Sequence, residues 1–124
     1  MTMRQDALAA AAEMILAVER NGASGGATQV ATVGQIDVTP NTSNVIPGEV
    51  RFSLDMRAET NEARDAMADA IRTDLRAIAA RRGLGITFDT PQHLPAAACA
   101  PELVEGLARA VTSVTGRPAQ RLLS

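Results

Sequence analysis

Asn41-Thr42-Ser43-Asn44-Val45-Ile46-Pro47-Gly48-Glu49-Val50-Arg51-Phe52-Ser53-Leu54-Asp55-Met56-Arg57 is the stretch whose reading decides the fold. A polar loop passes through a Pro-Gly turn into strict alternation from Glu49 to Arg57. Phe52, Leu54 and Met56 point one way, while Arg51, Ser53, Asp55 and Arg57 point the other, the period of a half-buried strand. The polar face carries more charge than a solvated face requires, and an arginine closes it.

Working backward, Thr28 to Val38 reads as a second strand. Val30, Ile36 and Val38 are expected to share a face with Thr32 and Gly34, with Val33 breaking the alternation. Pro40 to Gly48 links the two strands, so an antiparallel hairpin is the simplest arrangement. Before it, Met3 to Arg20 reads as a helix. Leu8, Ala11, Ala12, Ile15 and Val18 form its apolar side, Asp6 lies in its first turn, and Asn21-Gly22 ends it.

Working forward, Thr60 is expected to cap a helix that runs to about Arg82. Its apolar side is Ala63, Met67, Ala70, Ile71, Leu75 and Ile78. Arg64, Asp65, Asp69, Arg72 and Arg76 form its wet side, and Gly83 stops it. Leu84 to Asp89 reads as a short strand. Pro91 to Pro101 is an irregular crossing, Pro101 opens a further helix that Gly116 ends, and Arg117 to Ser124 looks like a strand stub.

The order α-β-β-α-β needs one preceding strand to become the split βαβ, ferredoxin-like arrangement: an antiparallel sheet with two helices on one face. The expected fold class is therefore α+β, ferredoxin-like, with its first strand missing. Residues 1–94 make one unit, and residues 95–124 supply a helix and strand stub of another.

Composition narrows the function. The 124 residues carry a formal net charge of −2, with no basic stripe interleaved with aromatics, so neither nucleic acid nor an anionic membrane is an expected partner. All twelve basic residues are arginine, as in chains from GC-rich genomes. A single cysteine, Cys99, excludes an internal disulfide and suits a reducing, cytoplasmic compartment. No apolar run is long enough to span a bilayer, and no signal peptide pattern opens the chain.

Catalytic inventory is sparse. His93 and Cys99 have no partners at metal-ligand spacing, and the carboxylates are scattered over helix surfaces. Ser43, Ser53, Thr42 and Cys99 have no neighbouring base. Gly25-Gly26 lacks the continuation of a phosphate loop. What remains is binding. Arg57 offers a guanidinium fork to a carboxylate or carbamoyl oxygen, or else pairs with Asp55 or a neighbouring strand. Asn44 is a loop polar group that equally suits a turn residue bonding its own backbone.

The run Asn44-Val45-Ile46-Pro47-Gly48 followed by Phe52-Ser53-Leu54-Asp55-Met56-Arg57 resembles the lid (dimerisation) domain of the zinc-peptidase-like amidohydrolases. Within them it is most similar to the hydantoinase/carbamoylase group of N-carbamoyl-L-amino-acid hydrolases, allantoate amidohydrolases and β-ureidopropionases. Met3-Arg4-Gln5-Asp6-Ala7-Leu8, Val33-Gly34, Pro40-Asn41 and Arg81-Arg82-Gly83-Leu84 match the same pattern. The resemblance implies that Asn44 hydrogen-bonds substrate and that Arg57 holds its carboxylate. It also implies a homodimer and two divalent metal ions (Zn, Mn, Co or Ni) that cleave linear amide or carbamoyl C–N bonds. The family's ligands and base are not matched by any residue here, so this piece alone is expected to hydrolyse nothing. The alternative expectation is a stand-alone ferredoxin-like module for small-molecule sensing or protein interaction. A strand from Glu49 to Arg57 spans about 27–30 Å at roughly 3.3 Å per residue. Unless the loop folds back, Asn44 and Arg57 do not reach one small molecule within a single protomer, and in a symmetric dimer each could serve a different active site.

Overall fold

A computed structural model describes residues 4–97 and 99–120. Its elements are α1 (Ala7–Ala23), β1 (Gln29–Thr32), β2 (Ile36–Thr39), β3 (Glu49–Phe52), β4 (Asp55–Ala58), α2 (Asn61–Arg81) and α3 (Pro101–Thr115). β1 pairs antiparallel with β4, and β2 with β3, so the expected hairpin forms as two consecutive ladders.

The interruption has a specific cause. Thr32 faces Asp55, but Ile36 faces Phe52, so three residues of the first strand oppose two of the second. This is a one-residue bulge. Ser53 closes it: its N–H donates to Gln35 O at 3.0 Å, and its Oγ accepts from Gln35 N at 3.0 Å. Antiparallel partners share a face. Ala31 and Val33 therefore lie on the core side before the bulge, and Ile36 and Val38 join Phe52 and Val50 after it. The expectation that Val30, Thr32 and Gly34 share a face with Ile36 and Val38 is corrected by this switch. Val33 broke the alternation because the bulge changes the parity.

Both long helices cover one face of the hairpin. Their buried residues Ala10, Met14, Ala17, Val18, Met67, Ile71, Leu75, Ile78 and Ala79 form the core, with Ala31, Val33, Phe52, Leu54 and Met56 packed against it. Ile71, Leu75 and Val18 are the largest side chains that are fully buried. Each contributes about 1.5–3 kcal/mol of hydrophobic stabilisation, so the core is thin. The stripe on α1 is Ala10, Ala11, Met14, Ala17 and Val18. Leu8 and Ala12, expected inside, are exposed. On α2, Ala63 and Ala70 are likewise exposed, and Ala68 and Ala79 replace them inside. Alanine alone marks a helix face weakly.

The helix ends follow their local chemistry. Asp6 is the N-cap of α1, its Oδ1 accepting from Ala9 N at 3.0 Å. Thr60 caps α2 by accepting from Ala63 N at 3.1 Å. Gly83 and Gly116 take left-handed conformations, φ 68° and 70°, after α2 and α3. Asn21-Gly22 does not end α1 as expected, because the helix continues to Ala23. Gly22 is buried inside it, and a Cβ there would lie 2.9 Å from Ala31 N, so its role is to let α1 approach β1. The helix start expected at Met3 falls partly outside the described residues; within them α1 begins at Ala7.

Leu84 to Asp89 corrects another expectation. Leu84 and Ile86 pack against the core, and Phe88 lies under the Arg76 guanidinium at 5.2 Å, yet the segment joins no ladder. In the split βαβ order its partner is the strand that precedes α1, and no such strand lies among the described residues. A cleft of about 2470 Å³ instead separates it from Glu49–Glu59. α3 has no buried residue, and Leu103, Leu107 and Val114 are 66%, 68% and 86% exposed. Arg117 to Gln120 form no strand; the remainder of the expected stub lies outside the described residues.

Candidate functional site

Arg57 stands on the outer face of β4, opposite Val30 and away from the core side taken by Met56 and Ala31. Its Nε and Nη2 donate to Asp55 Oδ2 at 3.2 and 2.9 Å. The ion pair considered as the alternative for Arg57 is therefore present. Both side chains remain more than half exposed, which makes the pair a weak contributor to stability. It uses one oxygen of Asp55 and one edge of the guanidinium.

Asn44 lies in the loop at the far end of the hairpin. It is exposed, and its side chain makes no hydrogen bond with its own backbone. The loop is fixed at its return, where Ala7 N donates to Pro47 O at 3.1 Å and Gly48 N to Thr39 O at 3.0 Å. The described residues do not bring Asn44 and Arg57 together. Arg57 lines the large cleft beside β3 and β4, while Asn44 lines a separate depression of about 610 Å³ with Arg4, Asp6 and Leu8. In that depression the Ala9 backbone N–H and then the Arg4 guanidinium hold the Asp6 carboxyl below the usual aspartate range.

Sequence reasoning missed a polar clasp on the crossing segment. Arg64, assigned to the wet side of α2, has a side chain only 13% exposed. Its Nη2 lies 2.9 Å from His93 Nε2, its Nη1 donates to the Leu94 carbonyl, and its Nε and Nη2 donate to Asp65 Oδ1. Asn61 Oδ1 accepts from Ala96 N at 2.7 Å. The partners are 29 to 35 positions apart in sequence, so no local pattern marks them.

No group of three or more His, Cys, Asp or Glu among the described residues could hold a metal ion. The residues present therefore do not fit a divalent metal centre. No helix among the described residues is long and apolar enough to cross a membrane. Two helices thus lie over one face of an antiparallel hairpin, with exposed polar groups at its two ends.

The family model described as the peptidase dimerisation domain matches residues 3–83, and the chain belongs to that family. It is 36% identical over 118 residues to the N-carbamoyl-L-amino acid amidohydrolase of Geobacillus stearothermophilus, covering 95% of this chain and 28% of that protein. It is 30% identical over 131 residues to allantoate deiminase 1 of Glycine max, covering 91% of this chain and 27% of that one. A crystal structure of a hydantoinase/carbamoylase family amidase from Burkholderia ambifaria superposes with a TM-score of 0.87 at 35% identity, over 100% of this chain and 30% of that one. The α+β fold of two helices on a hairpin is thus that of the carbamoylase-type dimerisation domain. The chain spans less than a third of the length of these relatives.

Proposed function

We propose that this chain is the lid of a metal-dependent amidohydrolase that cleaves a linear amide or carbamoyl C–N bond in a small carboxylate-bearing substrate. N-carbamoyl amino acids, allantoate and ureidopropionate are the candidate class. The lid grips substrate and joins two protomers into a homodimer. The metal-assisted step belongs to residues outside this stretch. Identity to carbamoylases and allantoate deiminases over nearly the whole chain supports this reading.

The observation that carries the division of labour is the placement of Arg57 and Asn44. They stand at opposite ends of a hairpin whose paired residues run from Gln29↔Ala58 to Thr39↔Glu49. Groups separated by the strand from Glu49 to Arg57, eight steps or roughly 26 Å, do not hold one small molecule within one protomer. In a twofold dimer each protomer instead gives Arg57 to one active site and Asn44 to the other.

Subunit complementation tests this. Arg57→Ala and Asn44→Ala are each made in the complete protein and assayed for ammonia release from an N-carbamoyl-L-amino acid, allantoate and ureidopropionate. Each variant alone is expected to be strongly impaired. Unfolding and reassembling them as an equal mixture restores about a quarter of the native activity, because half the dimers are mixed and each mixed dimer has one intact site. No recovery on mixing refutes the shared site, and no turnover of any of the three substrates by the native protein refutes the activity.

A further inference from the structure

We infer that Asp55 is a positioning residue for Arg57: it holds one edge of the guanidinium so that the other edge is presented to a substrate carboxylate. This rests on the reading of Arg57 as the carboxylate grip. Asp55 Oδ2 accepts from Nε at 3.2 Å and from Nη2 at 2.9 Å, so a single oxygen occupies the Nε side of the guanidinium. Nη1 and the second hydrogen of Nη2 remain. Together they form the end-on fork that matches the two oxygens of a carboxylate.

Across the ladder Asp55 faces Thr32 and Arg57 faces Val30, neither of them charged, so no cross-strand ion competes for either partner. The two residues alternate with Leu54 and Met56, whose side chains pack toward the core, which fixes the backbone carrying them. An exposed pair of this kind adds little to folding. Its effect is on the bound state: an arginine already held in one rotamer gives up less side-chain freedom when ligand arrives. Asp55 also leaves its Oδ1 without a bond to Arg57. The guanidinium is thus oriented by one oxygen rather than capped by a two-oxygen fork that a substrate would have to displace.

The experiment compares Asp55→Ala, Asp55→Asn and Arg57→Ala in the complete protein. It uses whichever of the three carboxylate substrates is turned over fastest, and the carboxamide analogue of that substrate. Asp55→Ala is expected to raise KM for the carboxylate about five- to tenfold, with a smaller effect on kcat. Asp55→Asn keeps an acceptor oxygen for the Nε–H and recovers most of that loss. KM for the carboxamide moves with neither. Far-UV circular dichroism and the carboxamide rate confirm that each exposed-site variant is folded. If Arg57→Ala leaves KM for the carboxylate unchanged, the reading of Arg57 falls, and this inference with it. If Arg57→Ala raises KM but Asp55→Ala leaves it unchanged or lowers it, the inference alone is overturned, and Asp55 is a bystander or a competitor. Equal loss in Asp55→Asn and Asp55→Ala also overturns it, since the acceptor oxygen would then be irrelevant.

Discussion

Replacing Gly22 by alanine sets two effects of known size against each other. Within a helix, alanine is favoured over glycine by at most about 1 kcal/mol. At Gly22, however, a Cβ would lie 2.9 Å from Ala31 N, 3.1 Å from Ala31 Cβ and 3.3 Å from Ala31 O. Two of these neighbours are backbone atoms of β1, which is held by its ladder with β4 and cannot rotate aside. Overpacking of this kind costs about 1–3 kcal/mol, and contact with backbone atoms puts this site in the upper part of that range, so Gly22→Ala is expected to lose up to about 2 kcal/mol net. For a domain of this size each 1 kcal/mol lowers Tm by about 3–6 °C, so the drop is expected to reach up to about 12 °C. The chain has no tryptophan or tyrosine, so the melt is followed by far-UV circular dichroism. Gly106→Ala is the matched control: it lies within α3, nothing lies within 4 Å of its Cβ position, and only the propensity gain remains. It is expected to raise helicity without lowering Tm. A Tm for Gly22→Ala equal to or above that of the native chain would refute the close approach of α1 to β1.

Two further outcomes follow from side-chain contacts. The folded-state carboxyl of Asp6 titrates lower than in the unfolded chain, so its contribution is complete above the ordinary aspartate value of about 3.9 and is lost as pH falls through the lower folded value. Asp6→Asn should flatten that acid limb of the stability curve, and an unchanged acid limb in urea melts would contradict the capping role. Arg64→Ala removes the donors to His93 and to the Leu94 carbonyl, so the crossing segment should exchange its amides several-fold faster while α2 keeps its protection. Unchanged exchange at residues 93–96 would contradict the clasp.

The parts of the fold that were legible in the sequence are those with strong local physics. Alternation from Glu49 to Arg57, the Thr60 cap and the Pro101–Gly116 brackets each act within a few residues, and each appears in place. Faces assigned through alanine were misplaced at Ala12, Ala63 and Ala70 though not at Ala11, because alanine is compatible with core and solvent alike. The bulge was visible only as a broken rhythm at Val33, since its stabilising contact runs from Ser53 to Gln35, 18 positions away. Leu84–Asp89 had the pattern of a strand, but pairing depends on a neighbour rather than on the segment's own residues. At the candidate site, chemistry singled out Arg57 and Asn44 as polar groups worth weighing, and resemblance alone gave them roles. Their separation could be estimated from residue counts. The partner that orients Arg57 had been weighed only as a competing explanation.

The bulge closed by Ser53 and Gln35 has one more consequence. A regular hairpin can slide by two residues and still present the same faces, which leaves its length adjustable. Here the first strand carries its apolar residues in one parity before the bulge and the opposite parity after it, so any slip would mismatch one ladder or the other. The hairpin is therefore keyed, like a notched rod that seats in one position only. Its two ends stay at a fixed spacing, and any pair of sites that it bridges is gauged by that spacing rather than by the elasticity of the sheet.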